Sequence, residues 1–480
     1  MCIVFQPKKL RFVWLLLLVL GLVLSLSGCS PQNGVENLSG FRAGGTEEGA
    51  HLSVFLNVKD HPSHQVRLWI TSIEICKDNL WTPLASKPLE VDISHMDWGQ
   101  TLLAERLLTP GRYDKVRIRF EKAGIHVHGK MVFPTLKKTV LEMPVPTAID
   151  LEKGDSQCLF ITWDVSASLL GTSFIDPVMA AVPQSTPLVA GLAYIACPDI
   201  DTVYMVRTDK CRVCGSIGIV GHPTYLALDC SRNRLYVLAT RKSAINVIEL
   251  STSRLVDIIR IPLTHEPGFM TMSPDGLWAY ILDKRGNYLI RMDLQSGSLA
   301  GHVRLGNRPQ YAAYLPDHQQ LAVSSGLSQT VFLLNPESLN TMETVPVGSS
   351  PQGLLAWRDM LYIAESDSNT ISVYDLETRQ VRARINAGFS PRRLLLSGVR
   401  IYVSNYEGGS LSVLLPGQLS VSQEISVGGT PMEMASSTNR RWLYVGNQDS
   451  RDVTVIDLTS NRLAGHIPLG GAPLGLAIVE

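Results

Sequence analysis

The chain has no excess of charge of either sign: 43 Lys and Arg stand against 43 Asp and Glu in 480 residues. Without a basic surplus there is no electrostatic footprint for nucleic acid, and none is expected as a partner. Only 18% of the chain is charged while 45% is hydrophobic, which excludes extended disorder and leaves enough apolar material for two or three cores. Motifs that carry chemistry are missing too. There is no Gly-rich phosphate loop, nucleophile elbow or zinc-protease helix. Cys211-Arg-Val-Cys214 is not followed by histidine, which argues against covalent haem attachment. On a strand, that three-residue separation also turns the two thiols to opposite faces, against a metal knuckle. No cofactor or metal is therefore expected.

Long apolar runs are absent except for one. Lys8, Lys9 and Arg11 precede an uncharged stretch from Phe12 to Gly28 that ends in Leu26-Ser27-Gly28-Cys29. Seventeen uncharged residues sit at the short limit for spanning a bilayer, and the small residues before Cys29 favour a cleaved signal peptide over an anchor helix. This segment resembles the signal peptides of bacterial lipoproteins. The resemblance implies cleavage after residue 28 and acylation of Cys29, so that the chain is exported and held to a membrane by lipid. Ser30, rather than an aspartate, would direct it to the outer membrane or a periplasm-facing site in a Gram-negative host. Residues 29–47 are rich in Gly, Ser and Asn and read as a flexible tether.

Ordered structure is expected from about residue 48. Runs such as "HLSVFLNV", "QVRLWITSIEI", "KVRIRFEKAGIHV" and "QCLFITWDV", separated by turn residues, read as strands of an antiparallel β-sandwich over residues 48–183. Gly99 to Leu108 has a helical pattern, and Pro110-Gly111 turns into the central strand. "VKDHP" at Val58 to Pro62, "WTPL" at Trp81 to Leu84, "LAERLLTPGRYDKVRIRF" at Leu103 to Phe120 and "FITWDVSASL" at Phe160 to Leu169 carry a further likeness. On them, this region resembles a bacterial lipoprotein domain of unknown function with a carbohydrate-binding-like sandwich fold. No chemistry comes with that resemblance. His126 and His128 would share one strand face, with His61 and His64 in a nearby loop, but a solvated face is the simpler reading than a metal site.

Residues 184–480 repeat. Prolines recur at 223, 267, 309, 351, 391, 431 and 473, spaced by 44, 42, 42, 40, 40 and 42 residues. An aromatic position recurs with them at Tyr194, Tyr236, Tyr280, Tyr362, Tyr402 and Tyr444, with Ala322 in the fourth copy. Four short strands per unit with Gly and Pro at one joint predict a seven-bladed β-propeller, making the whole chain all-β. The repeat begins on a second strand, "LAYIACP", and the chain ends on an inner one, Leu474 to Val479. The C-terminal strand is therefore expected to complete the first blade. A third marker, Glu249, Asp293, Asn335, Asp375 and Asp457, is expected to cap turns, and Pro416 breaks it in the sixth copy. The tyrosine-valine strands, the "SVYD" and "TVID" strands and the Gly-x-x-Pro joint resemble the YVTN family of propellers. That resemblance implies the fold, and extends distantly to lactonase-like and cofactor-bearing propellers.

In such a ring the joints and the loops between second and third strands share one face. His222, His265, Arg308 and Arg392 near the joints, with Asp283, Glu365, Glu407 and Asp449 from the loops, make this the candidate binding face; Lys284 and Arg393 lie beside them. His302 and His466 occupy equivalent places on outermost strands and are discounted as repeat inheritance. For an exported chain, possible disulfides join Cys230 to Cys211 or Cys214, and Cys76 to Cys158. The reading is a membrane-tethered, non-catalytic binding or scaffold module whose partner is a protein or glycan. A lactonase- or hydrolase-like enzyme at the channel mouth is the alternative.

Overall fold

The computed structural model describes residues 49–59, 65–85, 87–187, 191–437 and 439–479. The leader, Cys29, the tether, and His61 and His64 lie outside the described residues. Among the described residues no helix is long and apolar enough to cross a membrane.

Two sheets enclose the N-terminal core. One has the strand order Met179–Pro183, Ser156–Asp164, Ala50–Lys59, Gln100–Leu108. The other is built on the long strand Gly111–Val127, flanked by Val66–Lys77 and Val140–Leu151. Leu52, Val54 and Leu56 from the first sheet meet Leu68, Ile70, Val116 and Ile118 from the second, around the fully buried Trp163. Alternation along each strand puts every second apolar residue into this layer. The first sheet is mixed and not purely antiparallel, because Ala50–Lys59 runs parallel to Ser156–Asp164, with His51 opposite Ser156 and Lys59 opposite Asp164. Gln100–Leu108 is a strand and not a helix. Its leucine pairs at 102–103 and 107–108 mimic helical spacing, but pairing with Ala50–Lys59 across a bulge at Val54/Phe55 overrides that local pattern. His126 lies on the long strand, whereas His128 falls in the following turn at φ 51°, so the two imidazoles do not share a strand face.

Seven further four-stranded sheets follow among the described residues. Six begin with an inner strand at a joint proline: Pro223–Asp229, Pro267–Met272, Pro309–Leu315, Pro351–Trp357, Pro391–Ser397 and Pro431–Ser436. We number these blades 2 to 7. Blade 1 consists of Leu192–Cys197, Thr202–Arg207 and Arg212–Gly218, and its inner strand is Gly475–Val479 from the other end of the chain. Leu192 stands opposite Val479 and Ala196 opposite Gly475 in an antiparallel ladder. The ring closes by this strand, as expected.

The repeated tyrosines lock blades to one another. Each is almost wholly buried, and four span to the next blade with the phenolic oxygen. Tyr280 donates to the Pro336 carbonyl at 3.1 Å, Tyr402 to Asn461 at 2.8 Å and Tyr444 to the Thr208 carbonyl at 3.0 Å, while Tyr362 accepts from the Gly417 amide at 2.8 Å. A ring that buries apolar area and satisfies the polar tip suits a seam between packed sheets. The third marker caps turns: Asp293, Asn335, Asp375 and Asp457 each accept from the two backbone amides that lie two and three residues further on.

The N-terminal sheets and the propeller belong to one compact unit. The second face of the first sheet is apolar as well, and it packs on blades 1 and 7. Phe55 stacks on Phe160 at 5.9 Å and meets Tyr204 edge-on at 6.3 Å, and Ser53 Oγ lies 2.6 Å from the Tyr204 hydroxyl. Gln100 bonds both backbone groups of Val213, at 2.8 and 3.0 Å. Trp98 sits edge-on to Trp442, and Asp97 accepts from the His466 amide at 2.8 Å.

Candidate functional site

The joint before each inner strand and the loop between second and third strands are hydrogen-bonded into one face. Thr240 N donates to the His222 carbonyl at 3.1 Å, Gly326 N to Arg308 at 3.0 Å, and Tyr406 N to Ser390 at 2.9 Å. In these blades the joint and the loop thus lie side by side, and the eight candidate residues divide by role.

Asp283 and Glu365 turn inward. Asp283 has a fully buried side chain and accepts from the amides of His265, Glu266 and Arg285, and these bonds outweigh burial to hold its pKa below the ordinary carboxylate value. Glu365, equally buried, accepts from Gly348 N at 2.7 Å, Thr370 Oγ1 at 2.6 Å and Ser372 Oγ at 2.5 Å. Both end a second strand opposite their blade's joint proline and staple the joint to the sheet. They are structural acceptors and offer a ligand nothing. His222 is half-buried with Nδ1 unpartnered, and burial, reinforced by Arg241, lowers its pKa. His265 is solvent-facing, 3.5 Å from Asp283. Arg308, Glu407 and Asp449 are exposed around the rim. Arg392 is half-buried and lies 3.9 Å over the Tyr406 ring.

A set of residues of which the sequence reading singles out Arg393 alone lies at the waist. Two residues after the joint prolines, the inner strands carry Tyr225, Phe269, Tyr311, Gly353, Arg393, Glu433 and Gly475. Tyr225 and Tyr311 flank Phe269, each at 4.3 Å between ring centroids. Arg393 Nε bonds Glu433 at 3.2 Å, both side chains about 10% exposed, and the guanidinium lies 4.8 Å over the Tyr311 ring. Burial raises the Glu433 pKa in spite of Arg393, and raises that of Tyr311 to about 12. Gly353 completes this layer without a side chain because the adjacent strand is too close: a Cβ there would lie 2.5 Å from the Arg392 carbonyl. The register of the joint prolines was the signal that could have found this layer.

Above the waist, Lys284 crosses Gly268, whose missing Cβ leaves room for the lysine Cε that would otherwise stand 2.6 Å away. Burial lowers the Lys284 pKa to about 8, helped by Arg393, Arg308 and Arg392 and opposed by Glu266. A separate groove of about 620 Å³ on the opposite face is lined by Arg232, Arg234, Tyr236 and Asp257, but Arg232 is already held by Asp229 at 2.6 Å.

The six described cysteines are free thiols. Alternation explains why Cys76 and Cys158 do not pair: Cys158 points out of the sandwich core toward Ser216 of blade 1, 3.4 Å away, while Cys76 belongs to the other sheet. Cys211 is buried near the Tyr444 hydroxyl at 3.6 Å, Cys214 lies against the Met205 carbonyl at 3.4 Å, and Cys230 is exposed in a turn, so no crosslink staples blade 1 to blade 2. No group of three His, Cys, Asp or Glu residues among the described residues could hold a metal ion.

No family model matches the chain. Over 114 residues it is 31% identical to the Seven-bladed beta-propeller protein Rv1057 of Mycobacterium tuberculosis, a match spanning 23% of this chain and 28% of that one. The chain thus spans under a third of the length of this relative. Among solved structures it resembles a functionally unknown protein from Desulfotomaculum acetoxidans, with TM-score 0.54, 14% identity and coverage of 61% of this chain and 99% of that one. It also resembles a candidate 6-phosphogluconolactonase from Bacteroides fragilis, with TM-score 0.52, 14% identity and coverage of 60% and 98%. At such identities the likeness establishes the propeller fold alone.

Proposed function

We propose that this protein is a non-catalytic binding module of the cell envelope, exported and lipid-anchored through Cys29, which engages a protein or glycan partner with the loop face of its propeller. The observation that supports binding over catalysis is the composition of the waist. Its two charged side chains, Arg393 and Glu433, are paired with each other, and the rest of that layer is aromatic rings and glycine. A catalytic site needs a base or nucleophile free to meet substrate, and the only carboxylate in this layer is already engaged. Phe389, 67% exposed at the joint of blade 6, gives the loop face an aromatic anchor of the kind that carries binding energy.

A photo-crosslinking residue placed at Phe389 or Asp449 in the native envelope is expected to capture a discrete partner. The same residue at Val399, 68% exposed in a turn at the opposite end of blade 6, is expected to capture none. Equal capture from both faces would refute the reading. Palmitate labelling that persists in a Cys29→Ser variant would refute the lipid anchor. The likeness to a lactonase candidate keeps one enzymatic reading worth measuring. Hydrolysis of a phosphosugar lactone above the spontaneous rate, lost in Arg393→Met, would replace the binding role with a catalytic one.

A further inference from the structure

Three cations stand on the joint-and-loop side of the waist with no carboxylate in ion-pair contact among the described residues. Lys284 comes from blade 3, Arg308 from the joint of blade 4 and Arg392 from blade 6. Among the described residues, no hydrogen bond or ion pair reaches the Lys284 ammonium, and the buried Nε of Arg392 has no hydrogen-bond partner. Arg393 beneath them is engaged by Glu433. The carboxylates in reach, Glu266 beside Lys284 and Asp367 and Glu407 beside Arg392, stand exposed on the rim where water screens them. Partly burying the unpaired Lys284 and Arg392 side chains costs free energy that an inserted anion would return.

We propose that the mouth of the channel above Arg393 is a binding site for a small oxyanion of the phosphate class, held between the Lys284 ammonium and the Arg392 guanidinium, with Arg308 at its entrance. Convergence from three blades selects a multiply charged tetrahedral group over a single carboxylate, because one carboxylate neutralises one of the three cations. The planar Arg392 fork lies over the Tyr406 ring, which restricts its orientation, and a guanidinium presents paired donors to phosphate oxygens. The inference rests on the reading that the loop face is the working surface, and adds the chemistry of what enters it.

The test uses the full chain in detergent, titrated with inorganic phosphate at constant ionic strength, with sodium chloride and acetate as comparison arms. Phosphate is expected to raise the unfolding temperature and to give a saturable calorimetric signal, with acetate at least tenfold weaker. Lys284→Met and Arg392→Met should each weaken phosphate at least tenfold. Arg285→Gln, at an exposed neighbouring position, should leave it unchanged. A phosphate response no larger than that of chloride, or one that survives both Lys284→Met and Arg392→Met, overturns the site. Partner capture at Phe389 that persists without any phosphate response removes this inference alone. Phosphate binding that persists without any partner capture removes the reading above and leaves the site.

Discussion

Removing residues 473–480 takes away the inner strand of blade 1, and the structure sets the size of the effect. Leu476 and Val479 are 8% and 4% exposed, and the ladder to Leu192–Cys197 is five residue pairs long. Burying an aliphatic side chain is worth about 1.5–3 kcal/mol, and each ladder hydrogen bond adds about 1 kcal/mol net. The strand therefore contributes about 10 kcal/mol, against about 5–15 kcal/mol for the whole stability of a typical domain. The truncated propeller is expected not to fold cooperatively. Since such a chain could fail for other reasons, Leu476→Ala supplies a graded case: about 2–5 kcal/mol lost, with the fold retained. Urea unfolding followed by tryptophan fluorescence reads both. A truncated chain with the wild-type midpoint and a single transition would refute the closure argument, and so would a Leu476→Ala variant of unchanged midpoint.

Three further outcomes test other parts of the structure. Lys284 has a folded-state pKa of about 8 against 10.5 for the free side chain, so between those values the unfolded chain binds more protons and stability rises with pH. The term is absent below pH 8 and fully present above 10.5, a span of about 3 kcal/mol; the difference between wild type and Lys284→Met should change by that order in urea titrations at pH 7 and 10, and parallel curves would contradict it. Phe160→Ala, at the contact with Phe55 and blade 1, should cost about 3–5 kcal/mol, and Phe160→Asp should split one calorimetric transition into two; a single unshifted peak would show that this contact does not couple the two parts. Glu365→Ala removes the acceptor of three bonds and should cost about 3 kcal/mol while leaving phosphate affinity intact; weakened phosphate binding in a fully folded variant would return Glu365 to the ligand site.

The propeller was legible because each marker occurs many times. Tyr236 alone is an ordinary strand residue, but its recurrence beside a joint proline reveals a ring, and the phase between Leu192–Cys197 and Gly475–Val479 reveals how the ring closes. The N-terminal strands lacked that redundancy. The parallel pairing of Ala50–Lys59 with Ser156–Asp164 joins segments about a hundred residues apart, and nothing local encodes it. A signal for the interface was present nonetheless. "SVFL" and "CLFI" are apolar on both strand faces, the pattern of a sheet covered on both sides, and Phe55 and Phe160 are the residues on the second face. At the site, side-chain direction was not legible. Asp283 and Glu365 read as ligand groups because acids in loops are usually solvated, whereas the joint amides they satisfy belong to residues about seventeen positions earlier in the chain.

The sheet carrying Phe55 and Phe160 rests on blades 1 and 7, the two blades that meet where the ring is sealed. A polypeptide emerging N-terminus first completes that sheet at Pro183 and the first three strands of blade 1 at Gly218, and then waits about 250 residues for Gly475. Through that interval blade 1 has an open inner edge, a template for stray pairing. The contact of Phe55 and Phe160 with Tyr204 therefore ties the sandwich to the one blade assembled from both ends of the propeller sequence.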